Sequence, residues 1–221
     1  MMEEDAGGSP ACLAHMLVNG RPVDPQTVRD VARFRKAERV RLMDARQQIS
    51  GAERAVMTAA LVRTLTRVVK PRAGLVIAGY WPIRGEPDLR GWMEQIHNLG
   101  ATVLLPVVVA KNAPLVFRIW SPSCAMKRGI WNIPVPASGA EVVPEVVISP
   151  LVGVDKGCFR LGNGGGYYDR TLARLETPAQ VIGVGFPSCQ MLTIFPMPWD
   201  IPMDSAVLAD GSVCHRAGAA Q

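Results

Sequence analysis

The stretch RLGNGGGYYDR, Arg160 to Arg170, sets a run of glycines against two tyrosines, an aspartate and flanking arginines. Glycine in regular structure costs about 0.5–1 kcal/mol relative to alanine, so such a run asks for a compensating use. A β-branched run, EVVISPLVGV, precedes it and the helical pattern YYDRTLARLE follows. Strand, glycine turn and helix form a layout for holding phosphate. The glycines let successive N–H groups converge on one anion, and the helix start adds the positive end of its dipole. Neither standard template fits. A Walker A loop needs Gly-Lys-Ser/Thr where Tyr167 and Tyr168 stand, and a GxGxxG fingerprint fails at its last glycine, which is Tyr167. The residues alone therefore leave a tight strand–helix turn as an equal reading. Asp169 falls in the first helical turn, where a carboxylate suits a Mg²⁺ shared with phosphate oxygens. The plain alternative is an acid that complements the helix dipole.

A second cationic feature lies upstream. Arg35, Arg39 and Arg46 fall on one face at helical spacing, with Lys36 to one side. Like charges so stacked repel unless an anion neutralises them. A solvated basic helix is the alternative, and Asp30, Glu38 and Asp44 dilute the charge. A nucleic-acid surface would interleave aromatic residues along the basic face, and only Phe34 does so. In YWPIRGEPD, Tyr80 and Trp81 end an expected strand and Glu86 follows closely. Ligands of α/β sheets bind at that edge, where rings can stack on a flat heterocycle and a carboxylate can accept from its ring nitrogens. A core-capping aromatic pair and a surface glutamate would read the same way. PWDIPMD offers Asp200 and Asp204, either a second carboxylate for Mg²⁺ or part of a proline-rich surface loop.

The elements that must position these groups alternate between apolar strands and helices. Helices are expected over Thr27–Gln48, from the capping box Ser50/Glu53 to Pro71, over Asp88–Asn98, and from Tyr167. Strands are expected in GLVIAGY, ATVLLPVV, PLVFRIW, EVVISPLVGV and QVIGVGF, with DSAVLAD as an edge strand. The class is therefore α/β: a single three-layer α/β/α domain over residues 26–214 with a largely parallel sheet, a loose extension over 1–25 and a tail over 215–221. The 221 residues suffice for one real core. A net charge of +5 favours anionic partners without choosing among them. No apolar stretch approaches the roughly 20 residues of a membrane span, and the acidic start argues against a signal peptide. The five cysteines are odd in number and lack a CxxC, which suggests free thiols in a reducing compartment. Three scattered histidines suggest no zinc site.

In order along the chain, RKAERVRLMDARQQIS, YWPIRGEPD, LLPVVV, PLVFRIW, RLGNGGGYYDR and PWDIPMD resemble the 5-formyltetrahydrofolate cyclo-ligase (5,10-methenyltetrahydrofolate synthetase) family, across about Arg33 to Asp210. The resemblance implies an ATP- and Mg²⁺-dependent enzyme, cytoplasmic and monomeric, that cyclises 5-formyltetrahydrofolate to 5,10-methenyltetrahydrofolate without a nucleic-acid or membrane partner. It implies that Arg35, Lys36 and Arg39 hold ATP phosphates, together with the loop Arg160, Leu161, Gly162, Asn163, Gly164, Gly165, Gly166, Tyr167 and Tyr168. Arg160, Tyr167 and Tyr168 would serve the chemistry. Tyr80, Trp81 and Glu86, with Asn163 to Tyr167, would border the folate, and Asp169 and Asp200 would hold the metal. Two positions depart from the family pattern. Asn163 replaces a usual Tyr or basic residue, so Asn163→Tyr is expected to improve or preserve the reaction, unless Asn163 is fitted to its own pocket. Glu38 replaces a usual leucine. The competing reading is a relative that binds nucleotide and has lost the folate reaction.

Overall fold

The computed structural model describes residues 16–218 apart from Asn19. Two short strands come first, β1 (Met16–Val18) and β2 (Arg21–Val23), paired as an antiparallel hairpin within the segment expected to be loose. Helix α1 (Pro25–Gln48) begins two residues before the expected start, because Asp24 caps it. The Asp24 carboxylate accepts from the N–H groups of Gln26 and Thr27, and Pro25 supplies the fixed φ of the first turn. Helix α2 (Gly51–Val69) opens on the expected capping box, with Glu53 N–H donating to Ser50 Oγ at 3.2 Å and Ser50 N–H donating to Glu53 Oε2 at 3.0 Å. It closes at Lys70, whose backbone is left-handed, just before Pro71.

Then follow β3 (Val76–Ala78), α3 (Arg90–Asn98), β4 (Thr102–Val108), β5 (Leu115–Trp120) and the small antiparallel pair β6 (Met126–Arg128) and β7 (Pro134–Pro136). The chain continues through β8 (Val146–Pro150), β9 (Gly153–Val154), β10 (Arg160–Leu161), α4 (Tyr167–Leu172), β11 (Gln180–Gly185), β12 (Ser205–Leu208) and β13 (Val213–His215). The main sheet has seven strands in the order β13-β12-β11-β8-β3-β4-β5. Its five inner strands run parallel, and β5 and β13 are antiparallel at the two edges. The expected α/β class with a largely parallel sheet is what is found.

Two local expectations need correction. β12 is not an edge strand, because β13 pairs along its outer side. The run EVVISPLVGV is not one strand. It leaves the sheet after Pro150, and Gly153–Val154 pair instead with Arg160–Leu161. Pro106 is tolerated inside β4 because it lies beyond Leu104, the last residue of that strand paired with β3.

Side chains alternate across the inner strands. Ile77, Val103, Ile148, Ile182 and Val207 face Leu61, Leu65, Trp92, Met93 and Ile96 from α2 and α3. Ala78, Leu104, Phe117 and Val147 face the other way, with Tyr168 of α4 packed against them. Leu42 of α1 packs with Val152, Leu161 and Ile194, which sets α1 against the segments that leave the carboxyl ends of β8 and β11. The helices and turns thus converge on that edge of the sheet.

Candidate functional site

A pocket of about 220 Å³ opens at this edge. Its wall is drawn from chain segments far apart in sequence. Arg35 and Arg39 come from α1, Tyr80, Trp81 and Glu86 from the segment after β3, and Asn163 and its neighbouring glycines from the loop after β10. Tyr167, Tyr168 and Asp169 come from α4, and Asp200 from the loop before β12. Of the basic, acidic and loop residues proposed for the site from the sequence, four do not share this wall. Leu161 is buried in the α1-facing cluster beneath the loop, and Lys36 is exposed on the outside of α1. Arg46 and Asp204 also lie off the wall. Asp204 instead accepts from Val181 N–H at 2.8 Å and pairs with Arg216, a brace between β11 and the chain end.

The basic side of the pocket is held rigidly. Arg35 donates to the carbonyls of Ile194 and Phe195, both at 2.8 Å, and forms a buried ion pair with Asp200 at 2.5 Å. Arg39 Nε donates to Gly162 O at 2.8 Å, so the helix grips the glycine loop from below. Burial, and then the neighbouring Arg35, disfavours the charge on Arg39. An anion in the pocket would relieve both costs, which is the electrostatic condition of a phosphate site. Arg160 donates to Ser149 Oγ at 2.9 Å and pairs with Asp169 at 2.8 Å, and its guanidinium lies over the Tyr168 ring at 4.7 Å.

The loop needs its glycines for two different reasons. Gly164 and Gly166 have left-handed backbones, with φ of 95° and 62°. Gly165 has no room for a side chain, since a Cβ there would lie 2.5 Å from the Tyr167 ring. Asp169 sits in the first turn of α4 as expected, and its Oδ1 accepts from Ile201 N–H at 3.3 Å, which ties α4 to the loop carrying Asp200.

The opposite side of the pocket is aromatic and acidic. Tyr80 is buried and its hydroxyl donates to Pro87 O at 2.7 Å. Trp81 lies under Arg90, 5.1 Å from its guanidinium. Glu86 is only 4% exposed. Burial raises its pKa above the ordinary carboxylate value, opposed by the Ile83 N–H, by the Arg46 guanidinium and by the nearby Asn163 side-chain amide. Asn163 and Glu86 thus share the pocket wall, and a tyrosine at 163 would remove that amide from beside the carboxylate. Burial also lifts the Tyr168 phenol well above its usual range, so it stays protonated and able to donate.

One wall residue gave no signal in the sequence. Trp131 lies in the turn between β6 and β7 with a left-handed backbone, φ 57°, and is 64% exposed. Its ring meets Tyr167 edge-to-face at 5.4 Å. A tryptophan in a polar loop far from the glycine run carries no periodic pattern, and only the fold brings it to the pocket mouth.

The residues are also suited to a divalent cation. Mg²⁺ is ordinarily held by one or two carboxylates together with phosphate oxygens and water. Asp169 and Asp200 share the pocket wall, and no cluster of three or more acidic, cysteine or histidine ligands occurs among the described residues. Two carboxylates beside a glycine loop and a basic helix face match that donor set.

The model of the 5-formyltetrahydrofolate cyclo-ligase family matches residues 31–209. The chain belongs to that family. It is 36% identical over 120 residues to a 5-formyltetrahydrofolate cyclo-ligase of Mycolicibacterium smegmatis, a match that covers 51% of this chain and 62% of that one. The Escherichia coli K12 cyclo-ligase is 33% identical over 139 residues, 59% of this chain and 76% of its own length. Among solved structures, the Aquifex aeolicus 5,10-methenyltetrahydrofolate synthetase superposes with a TM-score of 0.72 at 26% identity, covering 85% of this chain and 95% of that protein. The Mycoplasma pneumoniae synthetase shares the fold, with a TM-score of 0.65 at 22% identity over 78% of this chain and 97% of its own. The cyclo-ligase family match spans every segment that builds the pocket, from Arg35 to Asp200.

Proposed function

We propose that this chain cyclises 5-formyltetrahydrofolate to 5,10-methenyltetrahydrofolate, consuming ATP and releasing ADP and phosphate. The observation that carries the reading is the single pocket of a cyclo-ligase family member in which a phosphate-directed basic cluster, a glycine loop, two carboxylates and a buried glutamate meet.

The formyl oxygen attacks the γ-phosphorus as the bond to the β-phosphate oxygen breaks, and ADP leaves. The N10 lone pair then attacks the activated formyl carbon, the carbon–oxygen bond to phosphate breaks, N10 gives up its proton and phosphate leaves. Such chemistry depends on positioning and charge neutralisation and needs no protein nucleophile. Arg35, Arg39 and Arg160 are placed in the pocket wall by backbone carbonyls, Ser149 and carboxylates, and Arg35 and Arg160 would exchange their pairing with Asp200 and Asp169 for the phosphates as those carboxylates take the metal. Glu86 accepts from polar N–H groups of the pterin edge, with Tyr80 and Trp81 beside it. The Tyr168 hydroxyl, kept protonated by burial, donates to the oxygen being phosphorylated. Asp169 and Asp200 would hold Mg²⁺, which when bound offsets triphosphate charge.

The test mixes purified chain with 5-formyltetrahydrofolate, ATP and Mg²⁺ and follows the near-ultraviolet absorbance of the conjugated methenyl product. Product formation that requires ATP supports the reading. Tight ATP binding without product would leave a nucleotide-binding module in its place.

A further inference from the structure

On the far side of β12 from the sheet centre, two thiols meet. Cys158 Sγ lies 3.7 Å from Cys214 Sγ and equally far from Cys214 O. Their positions are fixed independently. Cys158 sits in the turn between β9 and β10 with a left-handed backbone, φ 59°. Asp155 locks that turn, its Oδ1 accepting from Gly157 N–H at 2.9 Å and Phe159 N–H at 3.1 Å. Cys214 sits mid-way along β13, opposite Ala206 of β12. The sulfurs are about 1.7 Å further apart than the roughly 2.0 Å of a disulfide, a gap that side-chain rotation and slight movement of an edge strand can close.

The two thiols differ in access. Cys158 is fully buried, whereas Cys214 lines a surface groove of about 400 Å³ together with Lys156, Met191 and Leu192. That groove admits a small molecule, and Lys156 complements an anionic one.

We propose that Cys158 and Cys214 form a reversible thiol–disulfide site, oxidised by a low-molecular-weight disulfide that enters through this groove. The Cys214 thiolate attacks the small disulfide, forming a mixed disulfide and expelling one thiolate. The Cys158 thiolate then attacks Sγ of Cys214 and expels the second. Two protein thiols lose two protons and two electrons, and the oxidant becomes two thiols. Burial first, then the neighbouring Cys214 and Asp155, push the Cys158 thiol up to about 12, with Arg216 opposing, so the second step is the slow one. The product staples β13, which is held by only three residue pairs, to the turn that leads into Arg160 and the glycine loop. The site stands apart from the pocket and does not depend on the folate reading.

The experiment incubates the chain with excess oxidised glutathione, alkylates the remaining thiols, and digests with trypsin. The expected result is a fall in alkylatable thiols from the five of the sequence to three, with residues 157–160 linked to the peptide ending at Arg216 and both released by dithiothreitol. That second peptide also contains Cys189, so the linkage must persist in Cys189→Ser and vanish in Cys214→Ser. The oxidised chain should melt roughly 5–10 °C above the reduced one, a shift absent from Cys214→Ser. Full alkylation of Cys158 and Cys214 after oxidation would overturn the proposal. So would a stable glutathione adduct on Cys214, or a link that survives Cys214→Ser.

Discussion

Replacing Glu86 by glutamine changes almost no volume and removes one charge from the least exposed acid of the pocket. The carboxylate accepts from Ile83 N–H at 3.0 Å and is supported by the Asn163 amide and the Arg46 guanidinium. Glutamine retains one acceptor for Ile83 but can only offer a neutral, misdirected amide to a pterin N–H. A hydrogen bond to a charged group is worth about 1.5–3 kcal/mol, so KM for 5-formyltetrahydrofolate should rise roughly 10- to 150-fold while KM for ATP moves less than about two-fold.

Stability should respond in the opposite sense. Folding raises the pKa of Glu86, and that net direction already includes the attraction of Arg46. Its ionised form therefore costs folding free energy, a cost that develops as pH rises above the ordinary carboxylate value and is complete above the raised one. At neutral pH Glu86→Gln should melt no lower than the parent. The paired assays are methenyl product formation with each substrate varied in turn, and thermal unfolding at pH 4 and pH 7.5. Equal increases in both KM values would refute the assignment of Glu86 to the folate side. A melting temperature lowered at neutral pH would show instead that Glu86 chiefly compensates the buried charge of Arg46.

Asp169→Asn should lose turnover by orders of magnitude while circular dichroism stays native, and unchanged turnover at limiting Mg²⁺ would remove the metal role. Arg39→Ala should raise the ATP KM by one to two decades, since it removes a charge-assisted phosphate contact and the Gly162 grip together; an effect confined to folate would reassign the helix. Asn163→Ala should raise the folate KM several-fold with ATP little changed, as expected for about 1 kcal/mol of support lost from Glu86, and Asn163→Tyr should fare no better if the amide is what the pocket uses.

The sequence made legible what local physics decides. The capping box at Ser50, the stop at Pro71 and the apolar runs of the inner strands each report their own conformation, and they lie where expected. The glycine loop was legible because its backbone demands, left-handed at Gly164 and Gly166, admit few other residues. Placements that depend on distant partners were not legible. DSAVLAD looked like an edge because nothing in SVCHR announces a further strand. EVVISPLVGV read as one strand because it is mostly apolar and β-branched, although Leu151 and Val154 pack with Met203 and Cys189 after the chain has left β8. Lys36 and Arg35 are adjacent in sequence and both basic, yet a step of 100° around the helix sends one into the pocket and the other to solvent. Trp131 needed the whole fold to reach Tyr167.

The ion pair between Arg35 and Asp200 joins residues 165 positions apart, and this separation sets a timetable for biosynthesis. As the chain leaves the ribosome, α2, α3 and the β3–β4–β5 unit can assemble early, because their contacts are near in sequence. Residues 151–162 then give Leu42 and Arg39 their partners, but Arg35 waits until residues 194–200 emerge. A nascent chain arrested before Asp200 clears the exit tunnel would carry at most five of the seven strands and an incomplete pocket. A ligand of this pocket, the proposed ATP included, would therefore act only on nearly finished molecules, favouring completed chains over truncated ones by mass action.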